Sequence, residues 1–376
     1  MRSGVQNGRE TGMKMLSQPL LFQPNRVWRC YTGGALLDRF LGVESPADGN
    51  FPEEWLASTT TAVNGARQQN AEEGLSRIRL ADGSDGPLLR DLIAADPRGC
   101  LGPGADSADG LGVLCKFLDS SIRLPIQCHP DRAFARRHYN SEHGKTESWF
   151  ILDGRPVDGE DPYLLLGFKP HVTKEAFRRA VEAEDMAAVV DMFHRVPAKP
   201  GDSFHIPGRL PHAIGAGVFL LEVQEPTDWV VQPEHFVGST ELSHTDMWGP
   251  LTPDVGFECF DYEGAASREQ ILSRLRLVAN PVQKTDGGLV ENLIGPHVTD
   301  CFRVDRLTVT DEVTYMPDAP FQVAVITEGT GYIDTGDEPQ QVHRGDTVFL
   351  SNSVNSVSYR TESVPLGLFV ITPGTA

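Results

Sequence analysis

Residues 126–131 read Ile-Gln-Cys-His-Pro-Asp, which sets Gln127 and His129 two positions apart. In an extended chain both side chains leave on one face. Glu147 follows at the head of a second apolar run, Trp149, Phe150, Ile151 and Leu152. His212 opens the Gly-punctuated stretch His-Ala-Ile-Gly-Ala-Gly that leads into an apolar strand at 218–223. An amide oxygen, two imidazoles and a carboxylate make a donor set for a divalent metal of intermediate softness, zinc above all. Strand histidines are otherwise commonly packed or solvated, and eleven histidines allow chance pairings, so spacing alone leaves both readings open.

The elements that must carry these residues are short strands. Residues 111–118 read as a buried strand entering the region, with Lys116 expected as an edge residue whose ammonium snorkels to water. Residues 130–139 read as a short helix with Pro130 near its start, and 34–41 as another. Residues 87–95 have helical spacing, with Pro87 in the first turn. The clearest helical segment is 173–195: Thr173 caps a helix carrying Phe177, Ala180 and Val181, and a second helix follows with Met186, Val189, Val190 and Phe193. From Pro200 onward, short strands punctuated by Pro-Gly, Gly-Asp and Gly-Ala-Gly predict a jelly-roll or cupin-type barrel. Ser267 and Gln270 form a capping pair for a linker helix.

Residues 300–374 form a second strand-rich unit, whose Arg344-Gly-Asp turn repeats the Lys199-Pro-Gly-Asp turn of the first. It offers Asn355 where the first has His212, so a metal-free barrel is expected there. The predicted class is mainly β, with two cupin or jelly-roll β-barrel domains and a small helical insertion. The expected divisions are a disordered extension at 1–15, a metal-binding domain at 16–260 with its helical lobe at 171–196, and a C-terminal domain at 261–376.

Composition narrows the function classes. The chain has 376 residues, too many for one small core, and a formal net charge of −19. That balance argues against nucleic acid and acidic membrane as partners, because phosphate surfaces demand clustered Lys and Arg. No apolar run approaches a membrane span. Six scattered cysteines without a C-x-x-C pair suggest reduced thiols in a cytoplasmic protein. Cys128, between Gln127 and His129, is expected to point away from any metal. A small-molecule ligand and a monomer or small homo-oligomer are expected.

Several longer stretches occur in a telling order. They are Ile-Gln-Cys-His-Pro-Asp at 126–131, Gly-Lys-Thr-Glu-Ser-Trp-Phe-Ile-Leu at 144–152, Gly-Phe-Lys-Pro-His-Val-Thr-Lys-Glu at 167–175, Lys-Pro-Gly-Asp-Ser-Phe-His-Ile-Pro at 199–207 and Pro-His-Ala-Ile-Gly-Ala-Gly at 211–217. Together the chain resembles the type I phosphomannose (mannose-6-phosphate) isomerases in their short bacterial form, over most of residues 20–250. The resemblance implies a zinc-dependent aldose–ketose isomerase of the cupin superfamily, interconverting mannose 6-phosphate and fructose 6-phosphate. It implies Gln127, His129, Glu147 and His212 as ligands of one zinc ion, Lys145 as the active-site lysine, and Asp228 as a catalytic residue near the substrate.

The chain also departs from that pattern. Gln232 stands where the family has an arginine four residues after the aspartate, and Pro125 stands where a serine precedes the Q-x-H strand. Glutamine offers neutral hydrogen bonds in place of a fixed charge. Both losses touch substrate handling, so an isomerase of another sugar and a catalytically silent sugar-binding metal cupin stay open beside the first reading. Gln232 is expected to contact substrate, with Arg209, Lys169 or Arg123 supplying the lost charge.

Overall fold

The computed structural model describes residues 15–374 except 69, 109, 363 and 364. The expected extension at 1–15 therefore lies, apart from Met15, outside the described residues.

Two β units pack side by side. The first pairs a six-stranded sheet with a three-stranded one. In the six-stranded sheet, Leu114–Asp119 runs between Glu53–Leu56 and Val218–Gln224, and Glu147–Gly154 lies on the far side of Val218–Gln224. The three-stranded sheet joins His212–Ile214, Tyr163–Phe168 and Phe193–Pro197. Both faces of the large sheet are buried, and strand alternation assigns each side chain to one of them. Cys115, Phe117, Phe150, Phe219, Leu221 and Val223 belong to the core between the two units. Leu118, Trp149, Ile151, Val218 and Leu220 belong to the interior of the first barrel. By the same alternation Glu53, Lys116, Glu147 and Glu222 face that interior.

The second unit has a nine-stranded sheet opposite a four-stranded one. Val309, Ala324, Ile326, Ile333, Val342, Leu350 and Tyr359 fill the space between them with apolar side chains. The contact between units includes Phe150 against Phe369, with ring centroids 4.9 Å apart.

The expected boundary at 260/261 is crossed early in the chain. Strands Leu20–Phe22, Arg77–Arg79 and Asp85–Leu88 extend the nine-stranded sheet, with Leu20 opposite Phe349. The reason is burial on both sides: Leu20 enters the core between the units and Leu21 the core of the second barrel. Pro87 lies in the edge strand Asp85–Leu88 and the helix begins only at Leu89. An edge strand tolerates a residue without an N–H.

The helical lobe forms between strands Tyr163–Phe168 and Phe193–Pro197. Helix Lys174–Glu182 is capped by Thr173, which accepts from Ala176 N, and Met186–Asp191 by Asp185, which accepts from Ala188 N. The lobe is shorter than expected at its end, because residues 193–197 are already strand. Helices His244–Trp248, Pro253–Glu258 and Arg268–Leu275 add to it, and Phe177 meets Phe257 edge-on at 5.9 Å. Helix Arg268–Leu275 has the full capping box of Ser267 and Gln270.

Candidate metal centre and substrate cavity

Gln127 and His212 form an antiparallel bridge, each backbone N–H donating to the other's carbonyl at 2.9 Å. Side chains of directly opposed residues share a face. His129 lies two residues beyond Gln127, and Glu147 begins a strand in the neighbouring sheet. His129, Glu147 and His212 are all buried, and one ligand atom from each lies within 4.8 Å of the others. Gln127, His129 and Glu147 line a cavity of about 390 Å³, a size suited to a small ligand.

His129, His212 and Glu147 are each held by a second group. His129 Nδ1 is 2.8 Å from Trp229 O, and His212 Nδ1 is 2.8 Å from Leu210 O. A carbonyl only accepts, so both Nδ1 atoms carry the hydrogen and both Nε2 atoms present lone pairs. Trp149 Nε1 donates to Glu147 Oε2 at 3.0 Å. Burial keeps both imidazoles neutral: it pushes His129 down, and pushes His212 down to about 3, with His129 adding to the effect. Burial acts to raise Glu147, but the adjacent Lys145 ammonium outweighs it and holds the carboxylate below its usual range.

These groups fit a cation. His129 Nε2 and Glu147 Oε1 face each other at 2.9 Å, two acceptors with a hydrogen on neither. His212 Nε2 is buried with no hydrogen-bond partner, an orphan that a metal–nitrogen bond would satisfy. Lys145 Nζ meets the same need in part, 3.1 Å from Glu147 Oε1 and 3.4 Å from His129 Nε2. Cys128 lies in the apolar core with Cys259, away from these atoms.

Lys116 departs from expectation. It sits on an inner strand, 3% exposed, with Nζ 3.1 Å from Glu222 and 3.7 Å from Glu53. Burial would lower it, but Glu222 and Glu53 hold it raised. The chain has no room to snorkel because strands flank it on both sides. Its place in the interior was readable from Cys115 and Phe117, which claim the opposite face. Arg29, Glu53 and Glu222 also line the cavity and escaped the sequence reading. Burial, with repulsion from Glu147, pushes Glu222 up to about 7 despite Lys116.

Asp228 lines the cavity. It is not a free carboxylate: Arg29 donates to both its oxygens, at 3.2 and 3.3 Å, and Val63 N donates at 2.9 Å. Gln232 also lines the cavity, and its Nε2 donates to Asp246 O at 2.9 Å.

Three cations expected near substrate are elsewhere. Arg209 donates to Glu258 O and Cys259 O, satisfying carbonyls where helix Pro253–Glu258 ends. Lys169 pairs with Asp191 on the exposed helical lobe. Arg123 makes a two-point contact with Glu234, 2.7 and 2.8 Å. Each is drawn off by a local partner, so none lines the cavity.

No family model matches the chain. It is 24% identical to the mannose-6-phosphate isomerase ManA of Bacillus subtilis (strain 168), over 89% of this chain and 94% of that relative. It is 25% identical to the mannose-6-phosphate isomerase of Streptococcus mutans, over 91% of this chain and 95% of that relative. The crystal structure of the mannose 6-phosphate isomerase from Bacillus subtilis superposes with a TM-score of 0.71 at 19% identity, covering 94% of this chain and 99% of that one. In sequence along most of its length, and in fold, the chain is a type I phosphomannose isomerase-like protein.

Proposed function

We propose that the protein is a metal-dependent aldose–ketose isomerase that interconverts mannose 6-phosphate and fructose 6-phosphate, with zinc the metal that best suits its donors. The observation that carries this is the convergence of buried His129, Glu147 and His212, beside Lys145, at a cavity that His129, Glu147 and Lys145 line. The names of the relatives support the substrate.

Gln127, His129, Glu147 and His212 would hold the ion, and a bound ion supplies Lewis-acid polarisation of the sugar oxygens. The reaction moves a proton between C1 and C2 through an enediol, so it needs a group that accepts and returns it. Glu222, buried in the cavity beside Lys116 with its pKa raised by burial, is suited to accept that proton and return it. Lys145 donates toward the oxygen on which charge develops. Asp228, locked by Arg29, orients substrate and does not itself act as a base. All six cysteines are free thiols, which supports a cytoplasmic setting. Among the described residues no helix is long and apolar enough to cross a membrane.

The test is an assay of mannose 6-phosphate and fructose 6-phosphate interconversion, before and after chelation, with metal analysis of the purified protein. Turnover that chelation abolishes and added zinc restores is expected. Absence of turnover with metal loaded would overturn the reading.

A further inference from the structure

Among the described residues four cations line the cavity, Arg29, Arg67, Lys116 and Lys145. Three are committed at depth. Arg29 serves Glu53 and Asp228, Lys116 serves Glu222 and Glu53, and Lys145 serves Glu147. These side chains are at most 11% exposed, and a sugar phosphate arriving there would have to displace a buried carboxylate from its partner. That loss leaves a charge unpaired in a desolvated place and costs several kcal/mol, about 3–5.

Arg67 differs. It ends the 3-10 turn Gly65–Arg67 at the cavity rim, and its side chain is 33% exposed, whereas His129 and Glu147 are each 2% exposed. Its guanidinium lies over the Trp28 ring, 5.4 Å from the centroid, and donates to Asp246 Oδ2 and Glu241 O, both at 3.1 Å. Asp246 Oδ2 is also the acceptor for Ser243 N and Ser243 Oγ in the capping box of helix His244–Trp248. The aspartate thus fixes the arginine while remaining itself occupied by the helix end. Gln232, a neutral cavity residue, is tied to Asp246 O. Arg67 and Gln232 therefore converge on one residue of the rim, and the positive charge there comes from the 3-10 turn.

We propose that Arg67, set by Trp28 and Asp246, is the specificity-determining residue that binds the phosphate end of the substrate at the cavity mouth while the reacting carbons lie at the ligand cluster. A planar guanidinium recognises phosphate through paired N–H donors, and a rim position spares it the desolvation that a buried ion would pay. This rests on the sugar-phosphate reading of the preceding section.

The experiment compares the wild type, Arg67→Gln and Arg67→Lys on mannose 6-phosphate and on unphosphorylated mannose, by steady-state kinetics and by calorimetric binding. Arg67→Gln should raise KM for mannose 6-phosphate about 10- to 100-fold, the range for a lost charge-assisted hydrogen bond, and collapse the preference for the phosphorylated sugar. Arg67→Lys should recover part of that preference. Inorganic phosphate should inhibit the wild type competitively and the glutamine variant far less, with the difference shrinking at high salt. An unchanged preference in Arg67→Gln, or equal losses on both sugars, would overturn the assignment. A wild type that turns over neither sugar would sink the isomerase reading instead, and calorimetry would still decide whether Arg67 discriminates the phosphate.

Discussion

Replacing Trp149 with phenylalanine tests the metal centre through a residue that is not itself a ligand. The indole Nε1 is 3.0 Å from Glu147 Oε2, while Oε1 faces His129 and Lys145. The indole also meets the His212 ring edge-on at 5.2 Å, so one side chain orients two donors. Phenylalanine keeps an aromatic surface against His212 and deletes the donor to Glu147, at the packing cost of a smaller buried ring. The carboxylate then keeps Lys145 on Oε1 but loses the donor that fixes Oε2, and loss of such an outer partner typically weakens metal binding about 10- to 100-fold. At fixed free zinc that lowers the metal-dependent gain in stability by about 1.4 to 2.8 kcal/mol. Melting the chelated proteins isolates the packing cost of the smaller ring, and melting at graded free zinc then reads the affinity. A Trp149→Phe protein whose zinc-dependent stabilisation equals that of the wild type would refute the claim that the indole N–H presents Glu147 to an ion.

Other perturbations separate ligation, chemistry and charge balance. Lys145→Ala should retain metal yet lose turnover by about 10²- to 10⁴-fold; a variant with wild-type kcat would remove the ammonium from the reaction. Lys116→Met strands Glu222, whose side chain is 4% exposed, and should cost about 3–5 kcal/mol in denaturant unfolding. Adding Glu222→Gln should recover part of that loss, so a double variant no more stable than the single would contradict the pairing. Glu53 gives a pH signature. Burial would raise it, but Arg29 and Lys116 hold it down at about 2 from an ordinary value of 4.5. The carboxylate therefore contributes stability in full above pH 4.5, about 3 kcal/mol, and that contribution disappears as pH falls toward 2. The stability gap between wild type and Glu53→Gln should narrow across that window, and a gap independent of pH would show that the ion pairs are not its source.

The sequence by itself determined the local parts. Gln127 and His129 share a face because an extended backbone alternates, and Thr173, Asp185 and Ser267 start helices because their side-chain oxygens accept otherwise unpaired N–H groups. The strand-rich character of residues 300–374 was readable too, and strands form there, Phe302–Val309 among them. Tertiary structure decided what depends on residues far apart along the chain. Leu20 and Leu21, far from residues 300–374 in the chain, extend the sheet of the second barrel because burial was available there on both faces. Lys116 read as an edge residue until strands on either side and the carboxylates of Glu53 and Glu222 enclosed it. Arg209, Lys169 and Arg123 were equal candidates for substrate contact on composition alone, and only folding showed each spent on a local acceptor while Arg67 reached the rim. Backbone periodicity and capping act over a few residues and leave a mark in sequence. Charge pairing across a cavity is fixed by which strands become neighbours, and no short stretch of chain encodes that.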